Sequence, residues 1–199
     1  MNNDLKNMVE IMVNEQLKEH KYKANENETN VGSENAFNGI VINKLVGRQD
    51  IYMALEILIP KHIQNDDIVY LCIGTDRSTG DSLGPLVGMY LEGMGYKNVY
   101  GTIDNPVHAM NLQETVYKLP KNKKVIAIDA CLGRVTNVGT TQVIKGSITP
   151  GAGVNKKLLK CGDYSISSIV NTAGFLEYMV LQNTRLSLVM KLAKDITSA

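Results

Sequence analysis

The residues best suited to chemistry in this chain are carboxylates at the ends of two short apolar runs. One follows IVYLCI in Ile73–Pro85, IGTDRSTGDSLGP, and the other ends KVIAI in Ala127–Ala130, AIDA. Ligands of an open parallel sheet collect just outside the carboxyl ends of its strands. We therefore expect Asp76, Asp81 and Asp129 to lie at one edge of a sheet, with the last two close enough to interact.

Two aspartates held close together suit the hydrolysis of an amide bond. They cannot both ionise cheaply, so one keeps a proton while the other activates a water molecule. This arrangement predicts one raised pKa and one ordinary pKa. Asp81 and Asp129 are the predicted catalytic pair.

Each aspartate also has a structural explanation. Asp81 precedes the helical pattern LGPLVGMYL and could cap its free N–H groups, as could Ser82. Asp129 ends an apolar run, where a charged group must be paired or functional, and Arg134 is the candidate partner. For Asp129 the functional role is favoured, and for Asp81 both roles stay open.

The turn after the first of these runs is rich in glycine, but it does not match a phosphate-binding loop. It lacks the lysine of a P-loop and the G-x-G-x-x-G spacing of a dinucleotide loop, and its aspartates would repel a phosphate. Gly74 and Gly80 are instead expected to allow close approach of a peptide backbone. Both are predicted substrate-binding residues.

Asp76 and His108 complete the predicted substrate-binding group. Hydrolysis by an aspartate pair requires no cofactor. The alternative is a divalent metal ion held by Asp81, Asp129 and His108, which would lower the pKa of a bound water molecule.

The cysteines and serines indicate no other nucleophile. Cys72, Cys131 and Cys161 form no C-x-x-C pair and are expected to behave as small buried hydrophobic residues. No serine lies in a G-x-S-x-G motif. With no secretory signal in the sequence, this cysteine usage favours a reducing, cytoplasmic location.

The elements that position these residues follow from hydrophobic periodicity. From residue 67 onward the pattern alternates strand and helix in five segments: IVYLCI, LGPLVGMYLEGM, KNVYGTI, AMNLQETVYKL and KVIAI. Continuous apolar strands of this kind predict an α/β protein with a mostly parallel sheet covered on both faces. Further strands are predicted at Gly139–Ile148 and Tyr164–Val170, and one long helix at Thr172–Ile196.

The first third of the chain has a different composition. Leu5, Met8, Val9, Met12 and Leu17 predict an amphipathic helix, and a polar stretch near residues 20–39 predicts a mobile linker. A second helical pattern ends near Pro60. The sequence thus predicts an N-terminal helical extension over residues 1–65 and a single α/β domain over 66–199.

Charge and length limit the partners of this chain. Its 199 residues carry 21 basic and 20 acidic side chains, a formal net charge of +1. So small a charge gives no field that would attract nucleic acid or a membrane surface, and no long uncharged apolar segment is present. Recognition is expected at a local site, on a protein or peptide substrate, with homo-oligomerisation left open.

Several of these segments together resemble a known family. IGTDRSTGDSLGP, DNPVHAMNLQET, AIDACLGR, TPGAGVNKK and VNTAGFLEYMVLQNTRLSLVMKLA are similar to the YyaC group of sporulation proteins. That group is itself similar to the germination protease GPR of spore-forming bacteria and, more distantly, to hydrogenase-maturation endopeptidases. The resemblance covers about residue 67 to the C-terminus.

The resemblance implies a three-layer α/β/α fold of phosphorylase or hydrolase type and an atypical aspartic peptidase. The germination protease carries its catalytic aspartates in motifs similar to TGDSLGP and AIDA, which correspond to Asp81 and Asp129 here. The implied substrates are spore proteins, such as small acid-soluble spore proteins, in the cytoplasm of the sporulating cell or forespore.

The sequence therefore leaves three functions open. The first is a sporulation-associated, GPR-like endopeptidase with an aspartate pair. The second is a non-catalytic binding or regulatory protein on the same fold, since a fold does not fix a function. The third is a metal-guided maturation peptidase.

Overall fold

The computed structural model describes residues 40–151 and 158–199. The predicted N-terminal helix and the polar linker near residues 20–39 lie outside the described residues. No helix in the described part of the chain is long and apolar enough to cross a membrane.

The described chain alternates strands and helices, with three short 3₁₀ turns between them. The strands are β1 (Ile40–Leu45), β2 (Ile68–Cys72), β3 (Val99–Tyr100), β4 (Lys124–Gly133), β5 (Thr141–Lys145) and β6 (Tyr164–Thr172). The helices are α1 (Gly47–Leu58), α2 (Leu83–Gly93), α3 (Leu112–Lys118), α4 (Glu177–Gln182) and α5 (Leu186–Thr197).

These strands form one mixed sheet in the order β1-β5-β6-β4-β2-β3. β3, β2, β4 and β6 are parallel neighbours, whereas β5 runs antiparallel to both β6 and β1. β2 and the first half of β4 are apolar on both faces, as expected when helices cover both sides. The predicted mostly parallel α/β sheet flanked by helices is confirmed.

The two faces of the sheet carry separate hydrophobic clusters, because successive residues of a strand point to opposite sides. The first face, here called the packed face, includes Ile128 and Ile166 and is covered by α1, α2 and α5. The second, here called the cavity face, includes Leu71, Ala127 and Ile144 and is covered by α3.

The domain begins earlier than residue 66. β1 pairs with β5, and Ile42, Ile51 and Leu58 are buried in the packed-face cluster. Residues 40–58 therefore belong to the sheet and its core, and the predicted boundary of the N-terminal extension falls too late. The short run IVINKL lacks a neighbouring strand in sequence, so its pairing with β5 is not visible locally.

The prediction of one helix over Thr172–Ile196 is wrong. β6 continues to Thr172, and two helices follow, α4 and α5, separated by Asn183–Arg185. Arg185 is extended, and the Asn183 side chain donates a hydrogen bond to the Met179 carbonyl at 2.8 Å. The same carbonyl also accepts the regular helical bond from the Asn183 backbone N–H, and the helical pattern is interrupted at the extended Arg185.

Candidate active site at the carboxyl edge of the sheet

A cavity of about 860 Å³ opens at the carboxyl ends of β2 and β4. Its wall combines the turn after β2, the loop before α3, the end of β4, the adjacent parts of β5 and β6, the loop after β5, and α4. Asp81, Asp129, His108 and Gly74 all line it. The position agrees with the general placement of ligand sites in open α/β sheets.

Asp129 is placed by the difference in length between two neighbouring strands. The pairing of β2 with β4 ends at Cys72 and Ile128, so Asp129 is the first residue of β4 beyond β2. On its other side it pairs with Ser167 of β6. The backbone of Asp129 is therefore paired with β6 alone. On its other side, beyond the end of β2, it faces the turn that follows β2.

The Asp129 side chain is only 7% exposed. Burial and, second, the charge of Asp81 raise the pKa of Asp129 to about 8, while backbone N–H groups of Ala130 and Gly151 act in the opposite direction. A carboxyl group in this position keeps its proton at neutral pH.

Asp81 lies in a 3₁₀ turn, Gly80–Ser82, directly before α2, and is half-buried. Burial raises the pKa of Asp81 to about 6, and the backbone N–H of Thr75 partly opposes this. The expectation of one raised and one ordinary pKa is therefore wrong, because loss of water affects both groups. Asp81 still ionises first, so the pair carries a single proton between the two pKa values.

Gly74 fixes the turn that carries Asp81. Its φ is 142°, and a Cβ there would lie 1.9 Å from the Asp81 carbonyl oxygen. The Gly74 N–H donates to the Val107 carbonyl, and the Thr75 N–H donates to that of Asp81 at 3.1 Å. The close approach expected at Gly74 is thus made by the protein's own backbone, although Gly74 also lines the cavity.

Two of the other predicted substrate-binding residues lie outside the cavity wall. Asp76 follows β2 at the same edge of the sheet, but it is exposed and does not line the cavity. Gly80 is buried against Leu181 and Thr184, where a Cβ would meet atoms of both at 2.9 Å. Its small size serves the contact between the turn and the α4 region.

His108 lines the cavity and is half-buried. Its Nδ1 accepts a hydrogen bond from the backbone N–H of Met110 at 3.3 Å, and the backbone N–H of His108 donates to the Asn111 side-chain oxygen at 2.8 Å. An imidazole that accepts at Nδ1 carries its proton on Nε2. His108 is thus held as a donor on the cavity wall.

The structural explanations for the two aspartates receive no support. Ser82 precedes α2 without a side-chain capping bond, since its hydroxyl donates to the Thr79 carbonyl, and no side-chain cap is formed in the turn that holds Asp81. Arg134 is exposed, and within residues 40–151 and 158–199 no ion pair joins it to Asp129.

A metal site at these residues also lacks support. Across the described residues, no group of three or more His, Cys, Asp and Glu side chains is arranged to hold a metal ion. His108 therefore does not combine with Asp81 and Asp129 as a ligand set in this structure. The metal-bound alternative stays a prediction from the sequence.

Several residues of the cavity wall were not predicted from the sequence. Cys131 is half-buried there, and its thiol interacts with Ser167 and Gln142. Burial raises the pKa of Cys131, which excludes a stable thiolate at neutral pH. The period of two places Cys131 on the same side of the strand as Asp129, and this signal could have found it.

The buried positions of the other two cysteines confirm their prediction as small hydrophobic residues. Cys72 and Cys161 are 0% and 5% exposed. Burial, followed by the charge of Asp129, raises the pKa of Cys161 to about 12. Neither thiol is available as a nucleophile.

Comparison with known proteins assigns the chain to a family. It belongs to the family described as protein of unknown function (DUF1256), whose model matches residues 43–199. Over 131 residues it is 59% identical to a Bacillus subtilis (strain 168) protein named uncharacterized protein YyaC, covering 63% of this chain and 64% of that one. The chain thus matches less than two thirds of the relative's length. The resemblance to the YyaC group is confirmed.

A more distant match is a solved structure, the NiFe hydrogenase maturation protease HycI from Thermococcus kodakarensis KOD1. It has a TM-score of 0.43 and 18% identity, over 65% of this chain and 90% of that chain. A likeness of this size defines no activity. The relation to the germination protease stays a prediction from the sequence motifs.

Proposed function

We propose that this protein is a peptidase-type hydrolase in which Asp81 and Asp129 share one proton and cleave an amide bond of a protein or peptide. The observation that carries the proposal is the meeting of the two carboxyl groups on one cavity, where the charge of Asp81 contributes to the raised pKa of Asp129. Two carboxyl groups whose pKa values differ because of their surroundings take different roles in acid–base catalysis.

The two pKa values assign the roles. Between pH 6 and 8, Asp81 is the ionised base and Asp129 the protonated acid. Asp81 takes a proton from a water molecule, whose oxygen forms a bond to the substrate carbonyl carbon. Asp129 gives its proton to the leaving nitrogen as the carbon–nitrogen bond breaks, so that one water molecule is consumed overall.

The proposed substrates are spore proteins, including small acid-soluble spore proteins, in the cytoplasm of a sporulating cell. This part of the proposal is supported by the similarity of TGDSLGP and AIDA to the motifs of the germination protease. The family and its Bacillus relative carry no assigned activity in their names.

The test is cleavage of small acid-soluble spore protein and of a mixed peptide library by the purified full chain. Wild type is compared with Asp81→Asn and Asp129→Asn, each with a chelator or with added zinc or nickel. Asp76→Asn is the matched control, because Asp76 is an exposed carboxylate of the same loop outside the cavity wall. Loss of a general acid or base lowers the rate by about 10²- to 10⁴-fold.

Each outcome separates the three functions. Cleavage lost in both asparagine variants and kept in Asp76→Asn supports the aspartate pair. Cleavage that survives both substitutions contradicts it. Cleavage only with added metal favours the metal-guided peptidase, and no cleavage under any condition favours the binding protein.

A further inference from the structure

Apolar side chains are exposed to solvent beside the mouth of the cavity. Phe175 is 92% exposed, Met110 81% and Tyr178 59%. Met110 and Tyr178 also line the cavity, so their exposure places them at its mouth. We call Met110, Phe175, Leu176 and Tyr178 the apolar rim.

The backbone at the rim is strained. Leu176 has φ 58° and ψ 50°, a left-handed conformation that is unfavourable for a residue with a branched side chain. The strain is not offset by burial, because the Leu176 side chain is 57% exposed. Strain of this kind collects where a bound partner uses the conformation.

The position of the rim indicates what covers it. Met110 and Tyr178 lie at the mouth through which an occupant reaches Asp81 and Asp129. Further inside, the wall includes the apolar side chains of Ile148 and Leu158. Apolar contact is therefore available from the mouth to the interior.

The charges on the wall do not select a strongly charged ligand. Arg77 and Lys160 line the cavity together with Glu177, so both signs are present besides the two aspartates. A wall of mixed charge produces no large field of one sign. A cavity of about 860 Å³ also exceeds what a single amino-acid side chain requires.

We propose that the apolar rim is a docking surface for an extended polypeptide, which places apolar side chains on the rim while its backbone crosses the two aspartates. This inference rests on the proposed function and adds the substrate class: polypeptide segments with apolar residues close to the cleaved bond. Exposed apolar surface next to a site is typical of recognition surfaces.

The test measures peptide binding without hydrolysis. Two fluorescein-labelled peptides of equal length and charge are used, one with alternating Leu and Phe and one with Ser and Gln at those positions. Their binding to the full-length Asp81→Asn protein is followed by fluorescence anisotropy. Phe175→Ser and Met110→Ser are introduced into it, with Tyr117→Ser as control, since Tyr117 is 68% exposed on α3 and does not line the cavity.

The apolar peptide should bind the parent protein and the Tyr117→Ser control equally. Each rim substitution should weaken binding by roughly tenfold, the value for one large apolar side chain left unburied. Equal affinity for the two peptides, no loss in the rim variants, or no binding at all would overturn the inference. So would sedimentation showing that the rim substitutions instead dissolve a dimer.

Wild-type cleavage distinguishes a failure of the rim from a failure of the hydrolase. If wild type cleaves both peptides with the same kcat/KM, the proposed hydrolysis is supported and the proposed docking surface is contradicted. If binding depends on the apolar rim but neither peptide is cleaved, the docking surface is supported and the proposed hydrolysis is contradicted.

Discussion

The packed face and the cavity face of the sheet use their apolar residues in different ways. Three helices cover the packed face, and residues such as Leu192 and Val170 are almost completely removed from water there. The cavity face has the short helix α3 and a smaller cluster, and its edge opens into the cavity with the two aspartates. Domains bury one side chain layer against another for stability. Within residues 40–151 and 158–199 the cover on this face is incomplete, which leaves the space that a ligand site requires.

The comparison predicts that stability depends most on the packed face. Leu192→Ala should lower the free energy of unfolding by about 2–5 kcal/mol, because it removes buried methyl groups and leaves a cavity. Leu192 is 2% exposed, whereas Leu186 on the same helix is 54% exposed. Denaturant unfolding of Leu192→Ala should differ clearly from that of Leu186→Ala. Equal stability of the two variants would contradict the packing described here.

The cavity face should make stability dependent on pH. Asp129 and Asp81 have higher pKa values in the fold than when unfolded, so their contribution is complete below the ordinary carboxyl pKa of 3.8 and is lost as the pH rises to about 6 for Asp81 and to about 8 for Asp129. Unfolding at pH 5 and pH 9 should differ by more than about 1.4 kcal/mol, the value of one pKa unit.

Asp129→Asn should remove most of this pH dependence and should stabilise the protein at pH 9, because it removes the buried charge. Asp76→Asn is the control, since Asp76 is exposed. An unchanged pH dependence in Asp129→Asn would mean that the Asp129 carboxyl group is not desolvated as described.

Activity should show the same two groups as a bell-shaped profile. The rate should rise with pH as Asp81 loses its proton near 6 and fall as Asp129 loses its proton near 8. Outside these limits kcat/KM should change by about tenfold per pH unit. A profile that stays flat from pH 5 to 9 would separate the aspartates from the rate-determining chemistry.

The smallest effect is expected at Ser78, on the cavity wall. Its hydroxyl oxygen is buried and has no hydrogen-bond partner among the described residues. Ser78→Ala should therefore leave the unfolding free energy unchanged or raise it by up to about 1 kcal/mol, because an unpaired buried hydroxyl is unfavourable. Ser165→Ala should destabilise instead, since the Ser165 hydroxyl donates to the Gly146 carbonyl at 2.7 Å. Thermal unfolding of the two variants checks the contrast.

Much of the sheet could be predicted from the sequence. The runs that became β2 and β4 are apolar along their whole length, and a buried parallel strand is the structure that such a run favours. Asp129 comes directly after the apolar run of β4, and Asp81 lies in the turn after β2. Their position at the carboxyl edge of the sheet was therefore also predictable. His108 was also predicted at the site. It lies in the loop before α3, and it lines the cavity.

Other features depended on contacts between distant segments. The helical pattern over Thr172–Ile196 is interrupted before α4 by the left-handed Leu176 and again between α4 and α5 by the extended Arg185, where tertiary packing outweighs helix propensity. The pairing of β1 with β5 joins residues about a hundred positions apart, for which the local sequence holds no signal.

The sequence by itself determined the class of fold and the placement of two carboxylates after apolar runs, because hydrophobic periodicity and the alternation of strands and helices along the chain are local properties. The tertiary structure decided which residues surround those carboxylates and how acidic they are. The pKa of Asp129 depends on its burial, on the charge of Asp81 and on the backbone N–H of Gly151, which come together only when the sheet is assembled. Desolvation is a property of the packed environment, and no residue type carries it alone.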